Sequence, residues 1–345
     1  MLLVEHLRGL TQICSTRRGE DAGEAHASTQ EARILVVGAG VNGSICAARL
    51  RQARMDVTIL ARGTRVQEIR NQGIVIEDVL QNKRTVTQVP VVDEIKPDDT
   101  YDYILVVVRK NQVADLLPTL ARNRTANIVF MVNNPSGPDE WIRALGKDRV
   151  LMGFVFGAGR REGSVIRGIA NLGSGLAGRL LRSPFGEVDG AITPRLTRLV
   201  AIFRQARLPA GVSTRISDYL ATHAAMVAVM ASFVMARGYD RESMARYARA
   251  DIYLVVDALR EVLNVLRANR IRVTPPGVGV IKAVPRWIQV ALFRALLPSR
   301  FMEVGGAYHI SQAPDEMAQL ISETRTLVEK SGLAVPALRK VLGMT

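Results

Sequence analysis

Arg33-Ile34-Leu35-Val36-Val37-Gly38-Ala39-Gly40-Val41-Asn42-Gly43-Ser44-Ile45-Cys46-Ala47-Ala48-Arg49-Leu50 is the stretch that decides the fold. The apolar run ending at Val37 reads as a short strand. The small and apolar residues from Ser44 onward have helical spacing, and the glycines between are a turn. Asp56-Val57-Thr58-Ile59-Leu60 follows as a second strand at βαβ spacing. A lone G-x-G-x-x-G says little, but one that follows a strand and opens a helix is the fingerprint of a dinucleotide site. Gly38 permits the tight turn, Gly40 lets the backbone approach a pyrophosphate, and Gly43 allows close packing. Val41 and Asn42 open the helix whose unpaired N–H groups would face the phosphates.

Working outward, further strands are expected at 73–77, 85–92, 102–108, 127–132 and 150–156. An edge hairpin is expected within the Gly-rich stretch 164–181. Beyond about residue 210 the pattern is helical, near 214–237, 240–269, 285–298 and 312–331, punctuated by Pro275-Pro276. At roughly 100–200 residues per domain, 345 residues imply two domains. The expected fold is α/β: an N-terminal Rossmann-type, doubly wound, mostly parallel sheet over 31–212, then an all-α domain over 213–345 for substrate binding and dimerisation. Residues 1–30 read as a flexible extension without a signal peptide's apolar segment.

Apolar residues make up 48% of the chain, which excludes a disordered or collagen-like protein. The net charge of +14 first suggests nucleic acid, but the excess is spread evenly and aromatics are only 5%. There is no basic arm and no aromatic-interleaved basic patch, so no nucleic-acid partner is expected. Only seven of the 46 basic residues are lysines, and none lies between Lys147 and Lys282. Cys14 and Cys46 form no metal or disulfide pattern, and His6, His26, His223 and His309 have no metal-ligand spacing, so no metal site and a cytoplasmic location are expected. The apolar stretch Tyr219–Ala236 reads as a buried core helix and not a membrane span. The basic, amphipathic segment Pro285–Arg294 reads as a packed helix with an arginine face.

The residue after the second strand selects the dinucleotide. An Asp or Glu there would bond the ribose 2′-OH of NAD. The chain instead has Leu60-Ala61-Arg62-Gly63-Thr64-Arg65, with no acid between Asp56 and Glu68. A guanidinium suits a 2′-phosphate through paired, charge-assisted hydrogen bonds, so NADP(H) is expected, with Arg62 first and Arg65 second.

Several patches in order resemble the ketopantoate reductase (2-dehydropantoate 2-reductase) family over about residues 33–340. They are Val37–Gly43; Leu60–Gly63; Val108-Arg109-Lys110-Asn111-Gln112-Val113; Asn133-Asn134-Pro135-Ser136-Gly137; Gly153–Gly163; and Asp315-Glu316-Met317 followed by Gly332-Leu333-Ala334-Val335-Pro336. The resemblance implies reduction of a small 2-oxo acid by NADPH in a cleft between two domains. It implies a cofactor-side asparagine at Asn134 and a cofactor-side lysine replaced by Arg109, with Lys110 beside it. It also implies a substrate-side glutamate at Glu316. The family's catalytic lysine would fall on Ala221 and its helix asparagines near Ala225 and Val229, while its late serine has no clear counterpart.

A reductase without that lysine needs another proton donor or has another task. His223 shares a helix face with Tyr219 and is the candidate acid, with Asp315 or Glu316 as its carboxylate partner, as in opine-type dehydrogenases. The alternative for His223 is a core histidine bonded to backbone. Tyr308 and His309 precede Glu316 and read as a helix-end turn. The expectation is thus an NADPH-dependent reductase of a carbonyl, with His223 and Glu316 on the substrate side and a homodimer as one arrangement. The competing readings are an NADP(H)-binding sensor or partner module with little catalysis, and an opine-type dehydrogenase using a histidine acid.

Overall fold

The fold comes from a computed structural model that describes residues 32–79, 81–155, 157–169, 182–299 and 302–344. The expected extension over residues 1–30 lies outside the described residues. From Glu31 onward the chain forms one compact unit.

The strands are β1 (Arg33–Val37), β2 (Asp56–Leu60), β3 (Ile74–Asp78), β4 (Lys83–Thr87), β5 (Val91–Val92), β6 (Tyr103–Val106), β7 (Ile128–Phe130), β8 (Val150–Gly153), β9 (Ala158–Glu162), β10 (Val165–Ile169), β11 (Ser183–Glu187) and β12 (Ala210–Val212). Eight of them form a sheet in the order β12-β11-β8-β7-β6-β1-β2-β5. Its pairings are parallel except that of β8 with β11. The order reverses between β1 and β6, which makes the carboxyl ends of those two strands the switch point where a doubly wound sheet opens a crevice.

Side-chain alternation explains why these strands read as unbroken apolar runs. Ile34 and Val36 enter one core while Leu35 and Val37 enter the other. Tyr103 and Leu105 divide from Ile104 and Val106 in the same way. Both faces are buried, as a parallel sheet requires. Helices α1 (Val41–Gln52), α2 (Thr64–Gln72), α3 (Val113–Arg122), α4 (Asp139–Leu145) and α5 (Pro194–Gln205) connect the strands. On one face Phe130 stacks on Trp141 with ring centroids 4.3 Å apart; on the other Phe185 meets Phe203 at 4.6 Å.

Two expectations are corrected here. The strand expected over 85–92 is two strands, because Pro90 lacks an N–H for a ladder: β4 leaves for a second sheet and β5 joins the first. That second sheet, β4-β3-β10-β9, has no counterpart in the sequence reading. The hairpin turns earlier than expected, at Gly163-Ser164 between antiparallel β9 and β10, where Gly163 has φ +57°. Residues 170–181, the rest of the expected hairpin, lie outside the described residues.

The remainder is helical: α6 (Ile216–Met235), α7 (Arg241–Ala245), α8 (Arg249–Ala268), α9 (Pro276–Val280), α10 (Arg286–Leu296), α11 (Tyr308–Gln312), α12 (Pro314–Ser331) and α13 (Pro336–Val341). By length and composition α6 could cross a bilayer, yet 61% of its apolar window is buried inside the protein, where it packs on α8, α12 and α13. The segment expected as one helix over 240–269 breaks between α7 and α8, where Tyr247 turns inward to meet Phe233 edge-on at 5.3 Å.

Candidate active site

The glycine turn sits at the switch point. Gly38 has φ +111°, and a Cβ there would stand 2.3 Å from the Val107 carbonyl oxygen just beyond β6. A Cβ on Gly43 would lie 1.9 Å from the Gly38 oxygen, so α1 starts as close to the turn as backbone permits. Gly40 differs: a Cβ there would meet nothing within 4 Å. The space beside it is open, and no side chain caps the helix at Gly40. The positive end of α1 is therefore presented uncovered to the crevice. Asn42 adds a buried Oδ1 with no hydrogen-bond partner. An uncapped helix start and an unobstructed Gly40 fit the pyrophosphate of a dinucleotide, whose oxygens take the free N–H groups.

The two arginines after β2 separate cleanly. Arg62 is exposed and has no ion-pair partner among the described residues. It directly precedes Gly63, the N-cap of α2, whose φ is +60°. Arg65 is 4% exposed and is spent on the fold. It donates to Glu68 Oε2 at 2.9 Å, to the Ser164 carbonyl at 3.0 Å and to Ser44 Oγ at 3.4 Å. It thus staples α2 to α1 and to the β9–β10 turn, and is not free for a ligand.

Across the switch point, the chain leaving β6 presents Arg109 and Lys110. Lys110, and not Arg109, faces Asn134: its Nζ donates to Asn134 Oδ1 at 2.9 Å and lies 5.3 Å from the centre of the Trp141 ring. Burial lowers the Lys110 pKa. Arg109 instead reaches α12, donating to both carboxylate oxygens of Asp315 at 2.9 and 3.1 Å and to the Gln312 carbonyl. Asn111 joins the clasp at 2.8 Å, and its amide together with the Arg109 guanidinium holds the Asp315 carboxyl below its usual range. The geometric reason is direction. Neighbouring residues in an extended turn point to opposite sides, so the charge that faces Asn134 comes from the second residue of the pair.

His223 and Glu316 do not meet directly. The His223 ring is 4.3 Å from Phe154 and parallel to Tyr219 at 6.2 Å. Burial, helped by the neighbouring His309, pushes its pKa down to about 4. Glu316 is 3% exposed; its Oε1 accepts from Asn133 Nδ2 at 3.3 Å, and its Oε2 lies 3.8 Å from His309 Nε2. The carboxylate's histidine partner is thus His309, which the sequence reading left in a helix-end turn. Asp315, the other candidate acid, is occupied by Arg109. The Oδ1 atom of Asn133 is buried without a partner. The signal that could have found the pair is a histidine seven positions before Glu316. Ala313 and Pro314 break the chain between their elements, α11 and α12, so spacing carried no direction. Ala221, Ala225 and Val229 are all buried on α6, the last two in the core of the helical part.

Residues 34–180 match the family model described as ketopantoate reductase PanE/ApbA. No curated protein matches the chain in sequence. Solved structures do match. D-mandelate dehydrogenase with NADH and anilino(oxo)acetate superposes with a TM-score of 0.69 at 15% identity, covering 90% of this chain and 96% of that one. A putative ketopantoate reductase from Ralstonia solanacearum MolK2 gives 0.67 at 19% identity, covering 90% and 96%. 2-Dehydropantoate 2-reductase from Methylococcus capsulatus gives 0.68 at 19% identity, covering 90% and 94%. At these identities the structural likeness speaks for the fold. Taken with the family match over residues 34–180, the likeness gives the chain the fold of the ketopantoate reductases.

Proposed function

We propose that the chain is an NADPH-dependent reductase of a small carbonyl compound, a 2-oxo acid or related ketone. Its site is the crevice between the sheet-bearing residues 31–212 and the helical residues 213–345. One observation supports the reading: the glycine turn, the Lys110–Asn134 pair and Asn133, which joins Glu316 and His309, follow the carboxyl ends of β1, β6 and β7, beside the point where the strand order reverses. The exposed Arg62, which has no ion-pair partner among the described residues, favours the 2′-phosphate of NADPH over the ribose of NADH.

The glycine turn Gly38–Gly43 and Arg62 would hold the dinucleotide, which would supply the hydride chemistry for the carbonyl carbon. The carbonyl oxygen then needs a proton. No lysine lies between Lys147 and Lys282. Lys147 is paired with Asp189 at 2.9 Å, and Lys282 with Asn264. His309 takes the role: Glu316 stabilises its imidazolium, the proton passes to the carbonyl oxygen, and the half-exposed ring regains one from water. His223 has a different part. With a pKa of about 4 it is neutral at pH 7, so it offers one N–H to the oxygen without delivering a net proton. Hydride and proton together convert the carbonyl to the alcohol.

The test is NADPH oxidation against ketopantoate and against bulkier aliphatic and aromatic 2-oxo acids. Turnover on at least one is expected, with NADPH preferred over NADH and that preference lost in Arg62→Ala. His309→Ala should lower kcat about 10²–10⁴-fold. Silence across the panel, with NADPH still bound, would remove the reductase and leave the sensor module.

A further inference from the structure

The outward face of α10 is unlike the rest of the surface. Trp287 is 64% exposed, Leu292 60% and Leu296 48%. Ala291 and Ala295 complete the face, one and two turns on from Trp287. Gln289, Val290 and Leu297 hold the opposite side against the protein. The helix expected to show an arginine face therefore shows an apolar one, edged by Arg286 and Arg294. No carboxylate occurs between Pro285 and Pro298.

Next to α10 in the chain is an open basin of about 720 Å³ lined by Arg267, Arg270, Arg272, Ile271, Val273 and Val280. No carboxylate lines it, and none of the three guanidinium groups has an ion-pair partner among the described residues. Val280, 61% exposed, belongs both to the basin wall and to the exposed apolar series. Gln289 of α10 donates to the carbonyls of Ile281 and Val284, each at 2.6 Å, so the basin rim and the helix are fixed to each other. The cations crowd one another as well: after burial, Arg267 and Arg260 lower the Lys282 pKa.

We propose that this face seats the protein on an anionic lipid surface, with α10 lying in the interface and lipid phosphates entering the arginine basin. Charge decides the occupant. Arg286, at the edge, is already paired with Asp257, but a two-fold contact with a second copy would set the basin's three arginines, which have no ion-pair partner among the described residues, opposite one another, and neither the basin lining nor α10 has an acid to receive them. An anionic bilayer supplies phosphates for the arginines and an interfacial layer suited to Trp287 and the leucines. Each arginine at such a surface contributes about fivefold in binding, from about 1 kcal/mol per cation.

Trp287 makes the test direct, because the other tryptophan, Trp141, is fully buried. The full chain is titrated with vesicles of mixed phosphatidylglycerol and phosphatidylcholine, and with phosphatidylcholine alone. Expected are a blue shift of tryptophan emission and cosedimentation with the anionic vesicles only. The combined change Arg270→Gln and Arg272→Gln should weaken binding about 25-fold. Trp287→Ser with Leu292→Ser should abolish cosedimentation, while NADPH titration confirms that each variant is folded. Three outcomes overturn the proposal. One is equal binding to neutral vesicles. Another is no binding to either kind. The third is a dimer in sedimentation equilibrium that Trp287→Ser dissolves, which would assign the face to a second copy.

Discussion

His223 has its charge set by its packing. Phe154, Tyr219 and the apolar turns of α6 surround it, and His309 adds to the effect of burial. Its folded pKa of about 4 lies below the ordinary 6.5, so between those values the unfolded chain binds a proton that the native protein does not. Stability from this group is complete above pH 6.5 and is lost as pH falls toward 4. The gap bounds the loss at about 3 kcal/mol. His223→Phe should therefore flatten the fall in unfolding free energy between pH 7 and pH 5, measured by urea denaturation at each pH. An unchanged slope would mean that the imidazole is solvated and titrates normally. That position 223 sits in an apolar helix was legible in the sequence. Its partners were not, because Phe154 lies at the end of β8 and His309 lies beyond a π-helical turn.

At the scale of the element, the glycine turn separates two roles that one motif combines. Ala at Gly43 would put its Cβ 1.9 Å from backbone that cannot move without shifting β1. Gly43→Ala should cost about 1–3 kcal/mol or more in stability. Gly40 has φ −73°, which alanine adopts freely, and its Cβ meets open space. Gly40→Ala should change stability by no more than about 1 kcal/mol and yet weaken NADPH binding, because the methyl group fills the approach to the phosphates. Denaturation and NADPH titration on both variants check this; a Gly40→Ala that binds NADPH normally would move the cofactor elsewhere. This turn could be read in advance because its glycines answer to backbone sterics that are local in sequence. The second sheet could not: Val75 pairs with Val165 across most of the sheet-bearing half, and nothing local in either strand names its partner. Pro90 was a local signal that the 85–92 strand would break.

Over the whole molecule, one helix ties the two halves together. Ile216 and Leu220, at the start of α6, belong to the core under the sheet, while Ala224 to Val234 belong to the core of the helical part. The Arg109–Asp315 clasp adds a second tie, from the loop after β6 to the first turn of α12. That ion pair is half-exposed and contributes little stability by itself, roughly 0–1 kcal/mol. Its geometric effect is to hold the loop after β6 against α12. A continuous helix shared by both cores predicts that they unfold together even though composition divides the chain near residue 212. A calorimetric scan should show one transition. NADPH at a hundredfold excess over its Kd should stabilise that transition by about 2.7 kcal/mol, because binding to the sheet side is felt by the helical side through α6. Arg62→Ala should shrink the NADPH shift toward the NADH one. Two transitions, with NADPH moving the first alone, would show that α6 does not couple the halves.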